Sequence, residues 1–391
     1  MSSSTILILG AGIYGVTAAL ELRRRGHTVT LLDPGPLPHP LATSTDISKV
    51  IRMDYGADEF YMALMETALP RWHAWNHHFG ELLYHEEGIL YLTQTPMAPG
   101  EYEHASYTLL QQRGHIVERL TPDTIRTRFP ALAAEQYPDG YFNPRAGWAA
   151  SSQVIVRLLE EAQKLGVHLR AGKTFARLLH AGSRVAGIET TDRERIPADF
   201  VVVAAGAWTP TLFPHLAELM WAIGQPVFHF QVPDPARFRP PNLSVWGADV
   251  AKTGWYGFPA QLDGTFKVAN HGPGRPMHPN EPRQVAPDDE EKFRTFLAHT
   301  FPEIAHAPIL CTRLCLYCDT WDGNFYIDHD PHYEGLVICS GGSGHGFKFA
   351  PILGEITADV LERKPNPWAH KFAWRPRASL TTEDSRFMGD Q

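Results

Sequence analysis

Three closely spaced glycines near the start of the chain have the spacing of a phosphate-binding turn. Gly10, Gly12 and Gly15 follow a short apolar run and precede an apolar pattern of helical period. A strand, a tight glycine turn and a helix in this order bring backbone N–H groups and the positive end of the helix dipole close to a pyrophosphate. Asp33, which ends the next apolar run, is placed to accept hydrogen bonds from ribose hydroxyls. The pattern predicts dinucleotide binding, and a tight turn without a ligand is the alternative.

The chain contains four cysteines, all in one C-terminal region: Cys311, Cys315, Cys318 and Cys339. The spacing of the first three is similar to the three-cysteine signature of radical iron–sulfur enzymes, and Cys339 would supply a fourth ligand for zinc. However, the residues around Cys315 and Cys318 have the pattern of a strand, so these two side chains should point to opposite faces. We therefore expect no metal site. The residues alone favour Cys315 as a small core side chain.

The elements around the glycine turn predict an α/β fold with a parallel sheet. Residues 5–33 have the pattern of one strand–helix–strand unit, in which the basic run 23–25 and Gly26 mark the end of the helix. Further elements of the same layer are predicted downstream: a helix at 153–165, a strand at 168–170, a hairpin at 185–191, strands at 200–204 and 335–339, and a helix at 347–363. Alternating patterns at 253–258 and 265–269 predict strands of a second, mostly antiparallel sheet.

This order of elements predicts a discontinuous nucleotide-binding domain and a second, substrate-facing domain. The nucleotide-binding domain is expected to comprise residues 1–85, 150–225 and 320–363. The substrate domain, rich in Pro, Trp, Tyr and His, is expected to comprise residues 86–149 and 226–319. Residues 364–391 contain three prolines and few periodic apolar positions, which predicts an irregular tail over the surface.

The composition is that of an ordinary globular protein. The 391 residues are 43% hydrophobic and 20% charged, with a formal net charge of −8, which allows two or three domains able to enclose a ligand. An acidic excess without a basic patch argues against nucleic acid as a partner. The first apolar run has only strand length and no basic flank, so neither a signal peptide nor a membrane span is predicted. The clustered cysteines do not suggest a disulfide framework, which favours a reducing, cytoplasmic location.

The glycines alone do not distinguish FAD from NAD, because both cofactors use the same turn. Other segments are more distinctive: the small-residue stretches 203–208 and 341–349, the run Ser48-Lys49-Val50-Ile51-Arg52, Cys315-Leu316-Tyr317 with Phe325-Tyr326-Ile327-Asp328, and Ser343-Gly344-His345-Gly346-Phe347-Lys348. On these segments the chain, from Ile6 to about Leu361, resembles the family of FAD-dependent amino-acid and amine oxidases. This family includes monomeric sarcosine oxidase, pipecolate and saccharopine oxidases and fructosyl amino acid oxidases. The resemblance implies a Rossmann-like FAD-binding domain and a mostly antiparallel substrate domain.

The resemblance implies roles for several reactive side chains. It implies covalent attachment of FAD through Cys315, with Cys318 as the alternative attachment point. Lys267 would lie against the flavin opposite the substrate, where its ammonium would stabilise superoxide; a solvated strand lysine is the alternative. Arg52 and Lys348 would bind the carboxylate of the substrate, and two ordinary surface cations are the alternative.

The resemblance also implies the lining of the pocket. Tyr256, His271 and Tyr317 would lie above the flavin ring, with core packing as the alternative. The implied FAD contacts are Gly10, Gly12, Ile13, Tyr14, Gly15, Asp33, Ser48, Lys49, Phe175, Gly206, Trp208, Cys315, Gly344, His345, Gly346, Phe347 and Lys348. Lys49 departs from the sarcosine oxidases, which have an arginine near the flavin at this position. A positive charge is kept, but the planar fork of a guanidinium is not. A helix from Phe347 should direct its positive end toward the flavin pyrimidine.

The implied reaction is oxidation of a secondary amine in an amino acid to an imine that hydrolyses, with O2 reduced to H2O2. An amine dehydrogenase that uses an electron carrier and a non-catalytic flavin-binding module are the alternatives. We expect a monomer or small homo-oligomer, with the substrate and O2 as partners and no membrane. A bulky polar N-substituent is expected ahead of sarcosine-like N-methyl groups, and pipecolate-like cyclic amines third. That order rests on polar or aromatic residues expected near the pocket: Asp46, Trp255, Asn270, His271, Asp319 and Trp321.

Overall fold

The computed structural model of the protein describes residues 3–389. Its strands are β1 (Thr5–Leu9), β2 (Thr28–Asp33), β3 (Lys49–Ile51), β4 (Tyr84–His85), β5 (Ile89–Thr93), β6 (Glu118–Leu120), β7 (Asp139–Asn143), β8 (Gly147–Ala149), β9 (His168–Ala171), β10 (Phe175–Ala181), β11 (Arg184–Thr190), β12 (Arg195–Pro197), β13 (Phe200–Val203), β14 (Met220–Gln231), β15 (Val245–Ala248), β16 (Trp255–Gly257), β17 (Thr265–Asn270), β18 (Arg275–Pro276), β19 (Ile309–Thr320), β20 (Tyr326–His329) and β21 (Leu336–Ser340). Its α-helices are α1 (Ile13–Arg24), α2 (Glu59–Phe79), α3 (Tyr102–Gln112), α4 (Pro122–Arg128), α5 (Ser151–Lys164), α6 (Thr209–Leu212), α7 (Val250–Thr253), α8 (Pro287–Thr300), α9 (Ala350–Leu361) and α10 (Ala369–Phe372).

A six-stranded sheet carries the glycine turn, and it confirms the predicted strand–helix–strand unit β1–α1–β2. Its strand order is β20-β21-β13-β1-β2-β9, and every pair is parallel except that of β20 with β21. Leu9 lies opposite both Leu32 and Val203. The carboxyl ends of the three central strands therefore meet at one edge of the sheet, which is where parallel sheets bind ligands.

A nine-stranded sheet forms the other large layer and confirms the predicted, mostly antiparallel arrangement. Its order is β18-β14-β17-β16-β15-β5-β7-β6, with β19 paired along β14, and only β5 and β15 run parallel. One face packs against α8 through aromatic side chains such as Phe228, Trp246 and Phe293. Although β14 and β17 lie between β16 and β19, Tyr256 on β16 and Tyr317 on β19 belong to one apolar cluster.

Three elements lie in other places or have other bounds in the structure than the sequence predicts. The hairpin at 185–191 does not join the parallel sheet, because β11 pairs with its sequence neighbours β10 and β12 in a separate antiparallel sheet. The strand predicted at 253–258 begins only at Trp255, since α7 ends at Thr253 and Gly254, at φ +77°, redirects the chain. The last long helix also starts later than predicted: Gly346–Phe349 forms a 3₁₀ turn before α9.

Residues 376–381 of the C-terminal segment are exposed and irregular, whereas other parts of the segment are built into the fold. The segment contains α10, whose Phe372 is fully buried against Phe325, and Ser385 and Arg386 are buried further along. Ion pairs and backbone hydrogen bonds to the rest of the fold offset the free-energy cost of burying these polar groups. Within residues 3–389, no helix has both the length and the apolar composition needed to span a membrane.

Candidate active site

A cavity of about 360 Å³ connects the glycine turn with a group of buried cations. It lies between the six-stranded and nine-stranded sheets, since residues of both line it. The predicted site residues that line the cavity are Gly10, Gly12, Ile13, Tyr14, Asp33, Lys49, Arg52, Phe175, Gly206, Trp208, Tyr256, His271, Tyr317, Gly344, His345, Gly346, Phe347 and Lys348. The remaining predicted residues, Gly15, Ser48, Lys267 and Cys315, lie outside this lining.

The glycine turn leaves no room for side chains at two of its three glycines. A Cβ atom on Gly10, at φ +104°, would lie 2.4 Å from the Ala204 oxygen, and one on Gly15 would lie 1.8 Å from the Gly10 oxygen. At Gly12, by contrast, a Cβ would meet only the Ser44 hydroxyl at 3.5 Å, so its backbone faces open space. The turn is therefore tight on the protein side and open toward the cavity.

The residues around this turn fit a dinucleotide. Asp33 accepts hydrogen bonds from the backbone N–H groups of Ala11 and Gly35, both at 3.0 Å, which fixes its carboxylate at the cavity wall. Tyr14 also lines the cavity, and its hydroxyl is buried with no hydrogen-bond partner among the described residues. A polar atom of a ligand would satisfy it. The 3₁₀ turn before α9 lines the same cavity, so the positive end of that helix lies at the wall.

Arg52 and Lys348 both line the cavity and both lie against the Tyr55 ring. The Arg52 guanidinium lies 4.7 Å from the ring centroid and the Lys348 ammonium 5.1 Å from it. Both side chains are buried, so the alternative of two surface cations is wrong. Burial and the nearby Arg52 charge lower the pKa of Lys348 well below its ordinary value. Both side chains can donate hydrogen bonds to an anion, and a bound anion would in turn favour the charged form of Lys348.

Tyr256, His271 and Tyr317 form an aromatic group beside these cations. The His271 ring centroid lies 5.9 Å from that of Tyr317 and 6.5 Å from that of Tyr256. Burial lowers the pKa of His271, against the opposing influence of Glu383, so its imidazole is neutral near pH 7. The group therefore presents hydroxyls and a neutral ring to the cavity.

Comparison with known families explains this combination of turn, cavity and cations. Residues 5–360 match the DAO family, described as FAD dependent oxidoreductase. The chain belongs to this family. The α/β fold with an FAD-binding Rossmann-like domain and the assignment as an FAD-dependent oxidoreductase are thereby confirmed.

The oxidoreductase is similar over nearly its whole length to curated proteins and solved structures. It is 30% identical over 366 residues to N-methyl-L-tryptophan oxidase from Salmonella arizonae, covering 92% of this chain and 95% of that protein. It is 26% identical to L-saccharopine oxidase from Schizosaccharomyces pombe, covering 95% and 93%. The structure of fructosamine oxidase (Amadoriase II) from Aspergillus fumigatus in complex with FSA matches with a TM-score of 0.85 at 26% identity, covering 99% of this chain and 95% of that chain.

Lys267 of the oxidoreductase lies behind the cavity wall in a buried ion pair. Its ammonium is 2.6 Å from Asp46 Oδ2 and donates a hydrogen bond to the Ser48 carbonyl at 2.8 Å. It is only 2% exposed, so the alternative of a solvated strand lysine is wrong. Burial lowers the pKa of Lys267 to about 8, although Asp46 opposes that shift. Lys49, which does line the cavity, is 3.2 Å from the same Asp46 oxygen.

The three cysteines of β19 have different surroundings. Cys315 is buried next to Tyr317, and its Sγ is 3.9 Å from the Lys49 ammonium. Cys318, the alternative attachment point, lines the cavity, whereas Cys315 does not. Cys318 also packs in a separate apolar cluster, where burial raises its thiol pKa to about 12. Cys311 is exposed. Cys315 and Cys318 thus face different environments, as the alternation of a strand requires.

Most of the residues that we expected to surround the N-substituent of the substrate lie outside the cavity lining. Of the six, only His271 lines the cavity. Asp46 pairs with lysines, Trp255 stacks on Phe296, the Asn270 amide donates to the Thr253 carbonyl, Asp319 pairs with Arg386, and the Trp321 ring donates to the Tyr326 hydroxyl. Core packing and local pairing explain these residues. The cavity also has apolar and aromatic lining residues, namely Ile89, Tyr91, Trp246, Val250 and Phe258.

Two cavity residues carry no signal in the sequence. Glu383 and Ser385 line the cavity from the C-terminal segment, and both contact Arg52. Neither belongs to a motif or to a periodic pattern, so the sequence provides no reason to select them. The counter-ion role of Asp46 also depends on contacts with residues 221 positions away.

Proposed function

We propose that the protein oxidises the C–N bond of N-substituted amino acids, with O2 as electron acceptor and H2O2 as product. The observation that carries this proposal is the buried pair of cations, Arg52 and Lys348, in the same cavity as the glycine turn. The relatives support it, since their names describe oxidases of N-methyl-L-tryptophan and L-saccharopine. When bound, FAD supplies an acceptor for the hydride that leaves the carbon next to nitrogen.

The side chains of the cavity orient the substrate. The guanidinium of Arg52 and the ammonium of Lys348 donate charge-assisted hydrogen bonds to the substrate carboxylate, which fixes the reacting carbon relative to the rest of the cavity. His271 is neutral, so it adds no positive charge beside the amine. Burial next to the cation Arg52 favours the unprotonated amine, which is the form that can be oxidised. No side chain has to act as a strong base.

The cluster of Lys49, Lys267 and Asp46 supports an oxidase rather than a dehydrogenase. Two ammonium groups share one carboxylate oxygen, at 2.6 Å and 3.2 Å, so these three groups carry a net positive charge at the cavity wall. Positive charge next to the flavin stabilises the superoxide that forms when O2 accepts an electron. The solved neighbour with a bound ligand is also named an oxidase.

We further propose that FAD is attached through Cys315. A thiolate is the reactive form of cysteine, and a nearby cation stabilises it. Cys315 has the Lys49 ammonium at 3.9 Å, whereas burial keeps the thiol of Cys318 protonated with a pKa of about 12. The neighbouring ammonium favours Cys315, although Cys318 is the cysteine of this strand that lines the cavity.

The apolar lining of the cavity favours a substrate with an apolar or aromatic group. Tyr91, Trp246 and Phe258 line the cavity, and of the six residues that favoured a bulky polar N-substituent only His271 reaches it. An apolar wall favours the substrate that buries more apolar surface against it, since each Å² removed from water contributes about 25 cal/mol to binding. We therefore place N-methyl amino acids with large apolar side chains ahead of fructosyl amino acids, saccharopine, sarcosine and pipecolate.

The test is a panel of these amines with purified, flavin-loaded enzyme, measured by H2O2 release and by bleaching of the flavin under anaerobic conditions. We expect the N-methyl aromatic amino acid to give the highest kcat/KM and one H2O2 for each O2 consumed. Bleaching without H2O2 release would identify a dehydrogenase. No bleaching by any member would contradict the proposed function, and a preference for sarcosine or for a sugar-bearing amine would contradict the substrate order.

A further inference from the structure

The C-terminal segment places a carboxylate of the protein beside the proposed carboxylate-binding cation. Oε2 of Glu383 lies 3.4 Å from Nη2 of Arg52, and its Oε1 lies 2.7 Å from Nε2 of His271. The side chain of Glu383 is only 6% exposed. Although burial alone raises the pKa of Glu383, His345 and Arg52 hold it well below its ordinary value, so this carboxylate is charged. The cavity therefore already contains an anion.

The backbone on both sides of Glu383 is anchored to the fold. We call residues 381–387 the C-terminal strap. Before Glu383, the N–H of Thr381 donates to the Trp321 carbonyl at 2.8 Å. After it, the side chain of Arg386 pairs with Asp319 at 2.7 Å, and the N–H of Phe387 donates to the His271 carbonyl at 3.1 Å. The strap is thus a built part of the cavity wall rather than a loose chain end.

The strap also occupies the donors of Arg52. Nη2 of Arg52 donates to the Ser385 hydroxyl at 2.8 Å in addition to its contact with Glu383, and Nη1 donates to the Tyr102 hydroxyl at 2.9 Å. A substrate carboxylate that binds Arg52 needs the same Nη2 hydrogens and would approach a second negative charge. A substrate carboxylate and the Glu383 carboxylate, both in contact with Arg52, would repel each other strongly in a water-poor cavity.

We propose that Glu383 is a specificity-determining residue that competes with substrate carboxylates for Arg52. A free carboxylate next to the reacting carbon has to displace the Glu383 side chain from Arg52, whereas an amino acid whose carboxyl group is an amide does not. Glu383 keeps its contact with His271 when it leaves Arg52, so the exchange needs a rotation of one side chain and leaves the strap in place. This inference rests on the proposed function, because it uses Arg52 as the carboxylate site.

Binding of acetate to the flavin-loaded enzyme, measured by calorimetry, tests the competition without turnover. We expect Glu383→Gln and Glu383→Ala to bind acetate about tenfold more tightly than the unchanged protein, since a competing charge-assisted contact is lost. Asp384→Asn is the matched control, because it removes the same charge one residue away on an exposed side chain. It should leave the dissociation constant unchanged.

The outcomes separate this inference from the proposed function. Equal acetate affinity in the unchanged protein and in Glu383→Gln would overturn the competition and leave Arg52 as a carboxylate site. Equal tightening in Asp384→Asn would overturn it too, by showing an effect of net charge alone. Acetate binding in none of the variants would overturn both. As a second readout, Glu383→Gln should lower KM for an N-methyl amino acid about tenfold while KM for its amide changes little; equal changes for acid and amide would overturn the inference.

Discussion

The ammonium of Lys267 and the carboxylate of Asp46 form an ion pair of 2.6 Å that is closed off from the cavity, with side chains only 3% and 2% exposed. Lys49 shares the same carboxylate from the cavity side at 3.2 Å. Although burial alone raises the pKa of Asp46, the two lysines hold it well below its ordinary value. The pair therefore keeps Lys267 in position and leaves excess positive charge at the wall.

Lys267→Met should slow reoxidation of the flavin far more than its reduction by substrate. The charge acts only when O2 accepts an electron, and loss of one electrostatic stabiliser typically costs on the order of 10²-fold. Stopped-flow measurement of the two half-reactions tests this. Because the substitution also leaves Asp46 with fewer partners, Lys267→Met/Asp46→Asn is the control for stability. If both half-reactions slow equally, the role of Lys267 in oxygen reduction is wrong.

The reoxidation rate should also depend on pH. Burial lowers the pKa of Lys267 to about 8, so the side chain is charged below that pH and neutral above it. The rate constant with O2 should therefore fall as the pH rises through about 8. Rapid mixing of reduced enzyme with O2 from pH 6 to 10 measures the profile. Lys267→Met should give a lower, flat profile, and an unchanged titration in that variant would assign the step to another group.

Substitution of either buried cation should weaken binding of carboxylate substrates. Removal of a charge-assisted hydrogen bond costs about 1.5–3 kcal/mol, which corresponds to a rise in KM of roughly 10- to 150-fold for Arg52→Met or Lys348→Met. Because burial lowers the pKa of Lys348, KM should rise with pH in the unchanged protein and much less in Lys348→Met. Lys292→Met, at an exposed helix position, is the control. Unchanged KM values would exclude these residues from substrate binding.

Acid precipitation of the fully loaded enzyme should leave the flavin in the protein pellet. Cys315→Ser should release it to the supernatant, whereas Cys318→Ala should not, because the buried Cys318 thiol stays protonated. Absorbance of both fractions is the measurement. Flavin released from the unchanged protein would show that the cofactor is not covalent, and release only from Cys318→Ala would move the attachment.

The glycines of the turn should differ in their tolerance of alanine. At Gly15 a Cβ would overlap the Gly10 oxygen at 1.8 Å, and overpacking of this kind costs about 1–3 kcal/mol or more. We expect Gly15→Ala to lower the melting temperature of the apoprotein. Gly12→Ala meets only Ser44 at 3.5 Å and should fold normally, but with reduced flavin content because its Cβ points into open space at the turn. Equal stability of the two variants would contradict this geometry.

Local sequence patterns were sufficient to predict those parts of the site that are formed by short, continuous segments of the chain. The turn at Gly10, Gly12 and Gly15 is constrained by contacts within and next to one strand–helix–strand unit, so residue type and spacing are sufficient to recognise it. The segments around Arg52 and Lys348 were equally distinctive as runs of sequence. Both side chains line the cavity.

Tertiary structure decided which charges meet. Lys267 and Asp46 are 221 residues apart, and Arg52 and Glu383 are 331 residues apart. A carboxylate is stable in a buried position only if cations and donors are brought to it, and those partners come from other elements of the fold. The strap that carries Glu383 has no periodic pattern, because it is held by single contacts to loops and strands that the rest of the chain must first position. Its place in the cavity therefore follows from the assembled fold and from no local feature of the sequence.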